Sequence, residues 1–338
     1  MVPALAVAQA LRAEGAQVEF IGGTRAEAQL VPAAGFALHT INVKGLSRSS
    51  PVQAARSLGL AAAALPRSRA LLRQIAPDAV MGGGGYVAGP VGAAALTLRL
   101  PLVLTEADSH LGLTNRMLAR FSRVVCLAFP IEGRVPPRYR VTGRPIPPPA
   151  ADRELARSRL GIPPGERCVL VFGGSLGARS INIAALDALA AMPVHVLHIS
   201  GARDHAELAA RTLPAGYDLR EYLHGEQFAD ALAAADLVIA RSGGSVFEIA
   251  AQGLPSILVP YPHAAGDHQS ANARWMADAG AALVITDGEL SGPVLGEAVS
   301  GLLSDPDRMT EMGRAAFSLA RPDAALEVAR ELLRAAGS

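Results

Sequence analysis

Apolar positions along the chain fall into two alternating patterns. Short continuous apolar runs, such as Cys168–Phe172 and Leu237–Ala240, are typical of strands buried on both faces of a parallel sheet. Between such runs, segments such as Val2–Ala13 carry apolar residues at every third or fourth position, which is typical of amphipathic helices. The regular alternation predicts an α/β fold in which helices cover both faces of parallel sheets.

A proline-rich stretch interrupts this alternation. Residues 143–151 read GRPIPPPAA, a composition that suits a linker because it cannot continue a helix or a sheet. We therefore predict two Rossmann-like, doubly wound domains, residues 1–146 and 147–320, which face a cleft where ligands of such folds bind. Residues 321–338 have the apolar spacing of a helix, and we expect this helix to pack back on the first domain.

The first domain begins with a predicted helix at Val2 and no strand before it. In a doubly wound domain the first strand normally precedes that helix, and its loop makes the first ligand contact. Either the chain lacks this strand, or the true start of the protein lies upstream.

Composition narrows the function classes. The formal net charge of +1 over 338 residues gives no reason to expect a nucleic-acid partner. Cys126 and Cys168 both lie in apolar runs, which favours core packing over a disulfide or a metal site, and a cytoplasmic setting fits. No apolar run reaches the ~18–20 residues of a membrane span, and no signal peptide is recognisable. The arginine-flanked apolar run at residues 58–65 is open to two interpretations: a buried helix with a solvated basic end, or an interfacial segment on anionic lipid.

Glycine-rich turns follow several predicted strands, at residues 82–90, 173–179, 201 and 242–245. Each alone is ordinary turn chemistry, and none is a Walker loop because no Gly-Lys-Ser/Thr occurs. Four such turns at one cleft are harder to explain as ordinary turns at strand ends. Free amides together with Ser175 and Arg179 would make a diphosphate cradle.

The turn at residues 242–245 leads into a short predicted helix that carries Glu248. Amides and a helix N-terminus suit phosphate, and a carboxylate suits sugar hydroxyls. The sequence therefore predicts a nucleotide site in the second domain.

Several motifs, in this order and spacing, resemble the MurG family of bacterial glycosyltransferases: GGYVAGP, GLTN, GGSLGARSIN, RSGGSVFEIAAQGLP and PYPHAAGDHQSANA. The resemblance covers nearly the whole chain. It implies a GT-B fold and an inverting transfer of N-acetylglucosamine from UDP-GlcNAc to the C4 hydroxyl of the muramic acid of lipid I. The product, lipid II, serves peptidoglycan synthesis and hence cell shape and division. The family also implies a peripheral protein at the cytoplasmic face of the membrane, on the anionic inner leaflet, with the lipid acceptor on the first domain.

The resemblance also implies site residues. Ser175 matches the serine near the donor diphosphate, Glu248 the glutamate on the ribose, and Gln269 the glutamine on the donor sugar. The remaining implied donor residues line the diphosphate and ribose and are Gly243, Gly244, Ser245, Val246 and Phe247. Gly174 and Arg179, from the glycine loop described above, complete the predicted donor site. The implied acceptor residues belong to the first glycine loop and the GLTN motif and are Gly84, Gly85, Tyr86, Gly89 and Asn115.

The chain departs from the family pattern at four places. It begins at MVPALAVA, without the GGTxGH loop and its histidine, and we hypothesise a misassigned start in which a GTG valine codon was read as Met1. In-frame genomic DNA upstream would encode GGTxGH under this hypothesis. The family usually reads HEQN where this chain has Thr105–Asp108, and it often has an arginine at Pro147, for which Arg144 is a candidate substitute. The RSGGSVFE turn is also one residue shorter than usual.

The implied mechanism is a direct displacement in which the protein stabilises charge on the departing diphosphate. No Asp-x-Asp pair lies in the predicted nucleotide turns to hold Mg²⁺ on a nucleotide diphosphate, so we predict that no metal or other cofactor is needed. With the loop histidine absent, Asp108 and Glu106 are the candidate bases. Two alternatives stay open: a GT-B transferase with another lipid or an aglycone as acceptor, or a non-catalytic UDP-sugar-binding protein.

Overall fold

A computed structural model of the chain describes residues 1–41, 51–174 and 176–337, without the side chains of residues 51–62, 86 and 265. Strands and helices alternate through this part of the chain as predicted. The strands are β1 Glu19–Gly22, β2 Ala37–Thr40, β3 Val80–Gly82, β4 Leu102–Glu106, β5 Val124–Leu127, β6 Tyr139–Val141, β7 Cys168–Phe172, β8 His195–Ile199, β9 Tyr217–Arg220, β10 Leu237–Ala240, β11 Ser256–Leu258 and β12 Ala282–Val284. The helices are α1 Val2–Ala13, α2 Glu27–Ala33, α3 Pro51–Ile75, α4 Gly85–Thr97, α5 Leu113–Leu118, α6 Arg153–Leu160, α7 Arg179–Leu189, α8 His205–Ala209, α9 Gly225–Ala234, α10 Val246–Ala251, α11 His268–Asp278, α12 Gly292–Leu303, α13 Pro306–Ser318 and α14 Ala324–Ala336.

The chain divides into two compact units. Unit 1 comprises Met1–Ile146 together with Arg321–Ser338, and unit 2 comprises Pro147–Ala320. Unit 1 is therefore built from two separate stretches of sequence.

Unit 2 contains one six-stranded parallel sheet in the order β12-β11-β10-β7-β8-β9. Its central strands β7 and β10 are continuous apolar runs, and residues such as Leu237 and Ile239 are completely buried. Each such side chain contributes about 1.5–3 kcal/mol through burial. From β7 the chain passes to β8 on one side, whereas β10 pairs with β7 on the other side. The strand order thus reverses between β7 and β10, and in open α/β sheets ligands bind beyond the carboxyl ends of the strands at such a point.

Unit 1 contains two parallel sheets rather than the single sheet that the alternation suggests. One pairs β1 with β2, and the other has the order β3-β4-β5-β6. No hydrogen bonds join β1 to β3, yet Ile21 of β1 packs against the apolar cluster formed by β3, β4, β5 and the helices α3 and α4. The other face of the four-stranded sheet is covered by α1 and by α14.

The apolar run at residues 58–65 belongs to α3, and most of its side chains lie outside the described part of the chain. Further along α3, Leu71 and Leu72 are buried in the core of unit 1. None of the helices that the structure describes combines the length and the apolar character needed to cross a membrane.

Candidate functional site

The turn that follows β10 is fixed from α11. The Ser242 hydroxyl donates to the backbone oxygen of Gln269 at 2.8 Å, and the Asn272 amide donates to the backbone oxygens of Ser242 at 2.9 Å and Gly243 at 3.4 Å. Asn272 is buried, and its side-chain oxygen has no partner among the described residues. These two positioning side chains are missed by sequence reasoning, although both lie within the motifs quoted above.

The short helix α10 places Glu248 in its first turn, half-buried. Val246 and Phe247, predicted to line the site, are buried. Their backbone N–H groups donate to the oxygens of Gly243 and Gly244 at 3.3 Å, so these two amides are engaged within the turn itself. Gly243, Gly244 and Ser245 are half-buried, and the donor-binding roles of all five residues stay predictions.

Gln269 lies in the first turn of α11, close to the turn after β10. Its side-chain oxygen accepts from the backbone N–H of Tyr261 at 3.0 Å. Its amide nitrogen is 4.0 Å from the position that a Cβ on Gly243 would occupy. The structure thus brings Gln269 and the glycine turn together, as the predicted donor-sugar and diphosphate contacts require.

The loop after β7 depends on glycine for a close backbone contact. A Cβ on Gly177 would lie 2.0 Å from the Ser200 oxygen, and a Cβ on Gly201 would lie 2.2 Å from the Gly177 nitrogen. Gly177 and Gly201 also both have φ of +78°. Two of the predicted glycine turns therefore touch directly, backbone on backbone, because neither residue has a side chain. Ser175 lies outside the described residues, next to Gly174 in this loop.

Helix α7 begins directly after this loop. Its N-cap is Ala178, and no side chain caps it among the described residues. The first N–H groups of an uncapped helix have no partner within the helix and suit an anion.

Arg179 has partners other than the predicted phosphate. Its guanidinium contacts both oxygens of Glu207 at 2.7 and 2.9 Å, and one oxygen of Asp204 at 3.2 Å. Contact with a diphosphate would have to be shared with these carboxylates, so the role of Arg179 stays a prediction.

A buried polar chain leads inward from Asp204. Its carboxylate accepts from the Asn182 amide at 2.9 Å, and the Asn182 oxygen lies 3.0 Å from His198 Nε2. The Asn182 oxygen can only accept, so Nε2 carries the proton and Nδ1 accepts from the Tyr217 hydroxyl at 2.8 Å. Burial lowers the pKa of His198 to about 4, which keeps the ring neutral and rigid within this half of the sheet.

In unit 1 the predicted acceptor glycines are mostly helical. The sequence suggests a turn over residues 82–90 with a helix from Val91, but α4 begins at Gly85 and contains Gly89 and Pro90. Gly84 is the N-cap with φ of +76°, and no side-chain cap is present among the described residues. This expectation was wrong because a glycine-rich sequence can form a helix when small residues allow it to pack closely. The Tyr86 side chain lies outside the described part of the chain.

Asn115 and Glu106 lie beside the start of α4. Asn115 is buried, and its amide donates to the Thr105 oxygen and to Glu106 Oε2, both at 2.9 Å. A Cβ on Gly84 would lie 3.7 Å from the same amide nitrogen. The side-chain oxygen of Asn115 has no partner among the described residues. Gly84, Asn115 and Glu106 therefore form one cluster at the carboxyl ends of β3 and β4.

The two candidate bases have different surroundings. The Glu106 carboxylate is buried and accepts four N–H groups, from the backbones of Ala107, Asp108 and Gly112 and from the Asn115 side chain, at 2.8–3.3 Å. The Asp108 carboxylate is half-exposed and has no side-chain partner among the described residues. Glu106 thus holds the segment after β4 in place, whereas Asp108 is available for a ligand.

Comparison with known proteins gives matches over both units. Residues 1–126 match the glycosyltransferase family 28 N-terminal domain, and residues 168–328 match its C-terminal domain. Two curated relatives share one name, UDP-N-acetylglucosamine–N-acetylmuramyl-(pentapeptide) pyrophosphoryl-undecaprenol N-acetylglucosamine transferase. The protein of Moorella thermoacetica is 40% identical, with 98% of this chain and 95% of the relative covered. That of Rubrobacter xylanophilus is 41% identical, with 97% and 98% covered.

Among solved structures, MurG of Acinetobacter baumannii is similar, with a TM-score of 0.75, 29% identity, and coverage of 98% of this chain and 95% of that one. The fold is accordingly the two-domain α/β fold of GT-B glycosyltransferases. Identity near 40% over almost the whole length, with both family 28 domains present, shows that the chain belongs to the MurG family of UDP-N-acetylglucosamine transferases.

Proposed function

We propose that this protein transfers N-acetylglucosamine from UDP-GlcNAc to the C4 hydroxyl of lipid I muramic acid and so forms lipid II. The observation that carries this proposal is the match to relatives of that name over nearly the full length of both proteins. The site geometry supports it, because each unit presents a cluster of polar groups at the carboxyl ends of parallel strands.

The donor part of the proposal rests on unit 2. The uncapped start of α7 and the Gly243–Ser245 turn follow the adjacent strands β7 and β10, so a diphosphate placed there would meet N–H groups from both. Glu248 would accept hydrogen bonds from the ribose hydroxyls, and Gln269 would contact the sugar. Ser175 keeps its proposed place near the diphosphate from the family resemblance alone.

The acceptor part rests on unit 1. The start of α4 at Gly84 and Gly85 offers N–H groups to the diphosphate of a lipid-linked acceptor. The buried, unpartnered oxygen of Asn115 would accept a hydrogen bond from the same ligand.

The chemistry requires a base for the attacking hydroxyl and stabilisation of the departing UDP. We assign the base to Asp108, because the acceptor positions of Glu106 are already occupied by four N–H groups. The amides in unit 2 would stabilise the negative charge that develops on the diphosphate. By this scheme chelation with EDTA leaves the transfer rate unchanged.

Replacing Asp108 tests its assignment. Asp108→Asn keeps the shape but cannot take a proton, so we expect kcat to fall by about 10²–10⁴-fold with an unchanged KM for UDP-GlcNAc. Asp78→Asn, an exposed carboxylate of the same unit, is the matched control. A kcat within about twofold of the wild type would exclude Asp108 as the base.

A radiolabelled assay tests the whole proposal. Transfer of label from UDP-GlcNAc to a lipid I analogue is the expected result. Transfer only to another lipid or an aglycone would indicate a GT-B enzyme of different acceptor class. Binding of UDP-GlcNAc without transfer to any acceptor would indicate a non-catalytic UDP-sugar-binding protein.

We further propose that unit 1 contacts the anionic inner leaflet at the cytoplasmic face of the membrane. Leu113, Met117 and Phe121 are spaced four residues apart along α5 and the turn after it, and they are 43%, 62% and 55% exposed. Arg116 and Arg120 lie between them and are exposed. An apolar stripe flanked by arginines suits an anionic lipid surface, and the same helix carries the proposed acceptor residue Asn115.

Vesicle co-sedimentation tests this contact. The double variant Met117→Glu, Phe121→Glu should lose binding to phosphatidylglycerol vesicles while it keeps its affinity for UDP. Phe317→Glu, which replaces a 61% exposed phenylalanine of unit 2, is the control. Unchanged vesicle binding of the double variant would place the membrane contact elsewhere.

A further inference from the structure

Three side chains of unit 2 form a closed ring that the proposed catalytic scheme does not use. Asp287 Oδ1 accepts from the Ser180 hydroxyl at 2.7 Å and pairs with Arg241 Nη1 at 2.6 Å. Arg241 Nη2 donates to the Ser180 oxygen at 2.9 Å. The Ser180 hydroxyl therefore accepts from the arginine and donates to the aspartate, which fixes its orientation.

The ring connects four neighbouring strands at their carboxyl ends. Ser180 is the second residue of α7, after β7; Arg241 directly follows β10; and Asp287 lies shortly after β12. The guanidinium also donates to the oxygens of Val259 and Pro260 at 3.2 Å, just beyond β11. Since the sheet order is β12-β11-β10-β7, the ring spans these four strands without a gap.

Burial makes the aspartate essential to the ring. The Arg241 residue is only 8% exposed, and a charged guanidinium in such a place needs an anionic partner. Burial by itself would raise the pKa of Asp287, but hydrogen bonds from Ser180 and Arg241 hold this pKa below its usual value. The carboxylate is therefore charged at neutral pH, as the arginine requires.

The ring reaches the donor-sugar side of the candidate site through the chain after β11. The oxygen of Pro260 accepts from Arg241, and the next residue, Tyr261, donates its backbone N–H to the Gln269 side chain. The Arg241 Cζ also lies 5.4 Å from the centre of the Tyr261 ring. Arg241 thus contacts the residue that precedes Tyr261, whose N–H orients the Gln269 side chain, and within the described part of the chain the ring makes no contact with Glu248, the proposed ribose contact.

We infer that Asp287, through Arg241, is a positioning residue that orients Gln269 for the sugar of the donor. This inference rests on the proposed function, because it names the side chain that sets recognition of the sugar in that same site. It makes a specific claim: loss of the ring weakens the contacts to the sugar of the donor more than the contacts to UDP.

Calorimetry with two ligands tests the inference. Asp287→Asn keeps the size of the side chain and removes the charge, so the Kd for UDP-GlcNAc should rise about tenfold while the Kd for UDP changes less than about twofold. Ser180→Ala keeps the ion pair and removes the bridging hydroxyl, and a smaller rise for UDP-GlcNAc alone is expected. This second variant provides a test if Asp287→Asn does not fold.

Asp230→Asn is the matched control, because it also removes an aspartate that pairs with an arginine, Arg159, between α6 and α9. Its two Kd values should equal those of the wild type. Equal weakening of UDP and UDP-GlcNAc in the ring variants, or no weakening of either, would overturn the inference. A wild-type protein that binds neither ligand would instead contradict the proposed function.

Discussion

At the scale of single residues, the structure distinguishes two carboxylates that are equivalent candidate bases in the sequence. Glu106 and Asp108 are two residues apart, and either can be proposed as the base from the sequence. In the structure one carboxylate is enclosed by four N–H groups and the other is open. This difference arises partly from Gly112 and Asn115, which donate to the Glu106 carboxylate because the path of the chain after β4 leads back towards it. No local pattern in the sequence reveals that path.

Glu248 should bind the ribose of the donor. Glu248→Ala is expected to weaken UDP binding by roughly 1–3 kcal/mol, the range for leaving buried hydrogen-bonding groups unpaired. Calorimetry with UDP measures this change. Glu297→Ala, at an exposed position of α12, should have no effect. Unchanged UDP affinity of Glu248→Ala would refute the assignment.

The buried His198 makes the stability of unit 2 depend on pH. Its pKa is about 4 in the folded protein, lowered by burial from an unfolded value of about 6.5. Between pH 4 and pH 6.5 the His198 side chain is protonated in the unfolded chain but neutral in the folded protein. The stability that neutral His198 contributes is therefore complete above pH 6.5 and is lost as the pH falls towards 4. The loss is about 1.4 kcal/mol per pH unit.

Urea unfolding at several pH values would detect this dependence. His198→Gln should reduce the slope of unfolding free energy against pH between pH 6 and pH 4.5, within the range set by these pKa values. His224→Gln, at an exposed position, is the matched control. Identical slopes for the wild type and His198→Gln would show that His198 does not titrate in this range.

At the scale of elements, continuous apolar runs predict strands well. The bounds of β7 and β10 are those expected from the sequence, because both strands are buried on both faces and carry no polar residue. The short helix α6 was not predicted, since its sequence RELARSRL is mostly polar. Its end signals are nevertheless present: the Asp152 side chain caps it, and Gly161 ends it with φ of +71°.

The site is less predictable than the strands. Glycine turns and Gln269 follow from motifs, whereas the ring of Ser180, Arg241 and Asp287 joins residues up to 107 positions apart. Such contacts depend on the order of the strands in the sheet, which no local sequence pattern predicts.

The contact between Gly177 and Gly201 yields a prediction for their two loops. Gly177→Ala should destabilise unit 2 by about 3 kcal/mol or more, because the new Cβ would overlap the Ser200 oxygen and φ is positive. Gly165→Ala is a matched control: its φ is also +78°, but nothing lies within 4 Å of its Cβ position. Gly165→Ala should lower the free energy of unfolding by only about 1 kcal/mol.

Urea unfolding of the two glycine variants measures the difference. The excess loss in Gly177→Ala reports the backbone contact itself, separate from the strain of a positive φ. Equal losses in the two variants would mean that the loops separate without penalty.

At the scale of the whole molecule, two cysteines report on the two units separately. Cys126 is buried in unit 1 and Cys168 in unit 2, and burial raises the pKa of each thiol to about 12. Both should therefore react with thiol reagents only when their unit opens.

Leu332 of α14 packs in the same cluster as Cys126. Leu332→Ala should destabilise this cluster by about 2 kcal/mol or more, so Cys126 labelling should accelerate about thirtyfold while Cys168 labelling stays constant. Mass spectrometry of the labelled peptides measures both rates. Leu333→Ala, at the adjacent 36% exposed position, is the control. Equal acceleration at both cysteines would mean that the two units open together.

The division of unit 1 into two stretches of sequence also sets an order of events on the ribosome. Val103, Val124 and Cys126 form one face of its four-stranded sheet, and that face is covered by Val328 and Leu332 of α14. The nascent chain makes all of unit 2 before it makes α14. All the strands of unit 2 are therefore made before α14, whereas the first unit waits with the part of its apolar sheet face that α14 covers, beside α1, still exposed. During that interval the nascent first unit is the part of the molecule on which a chaperone would act.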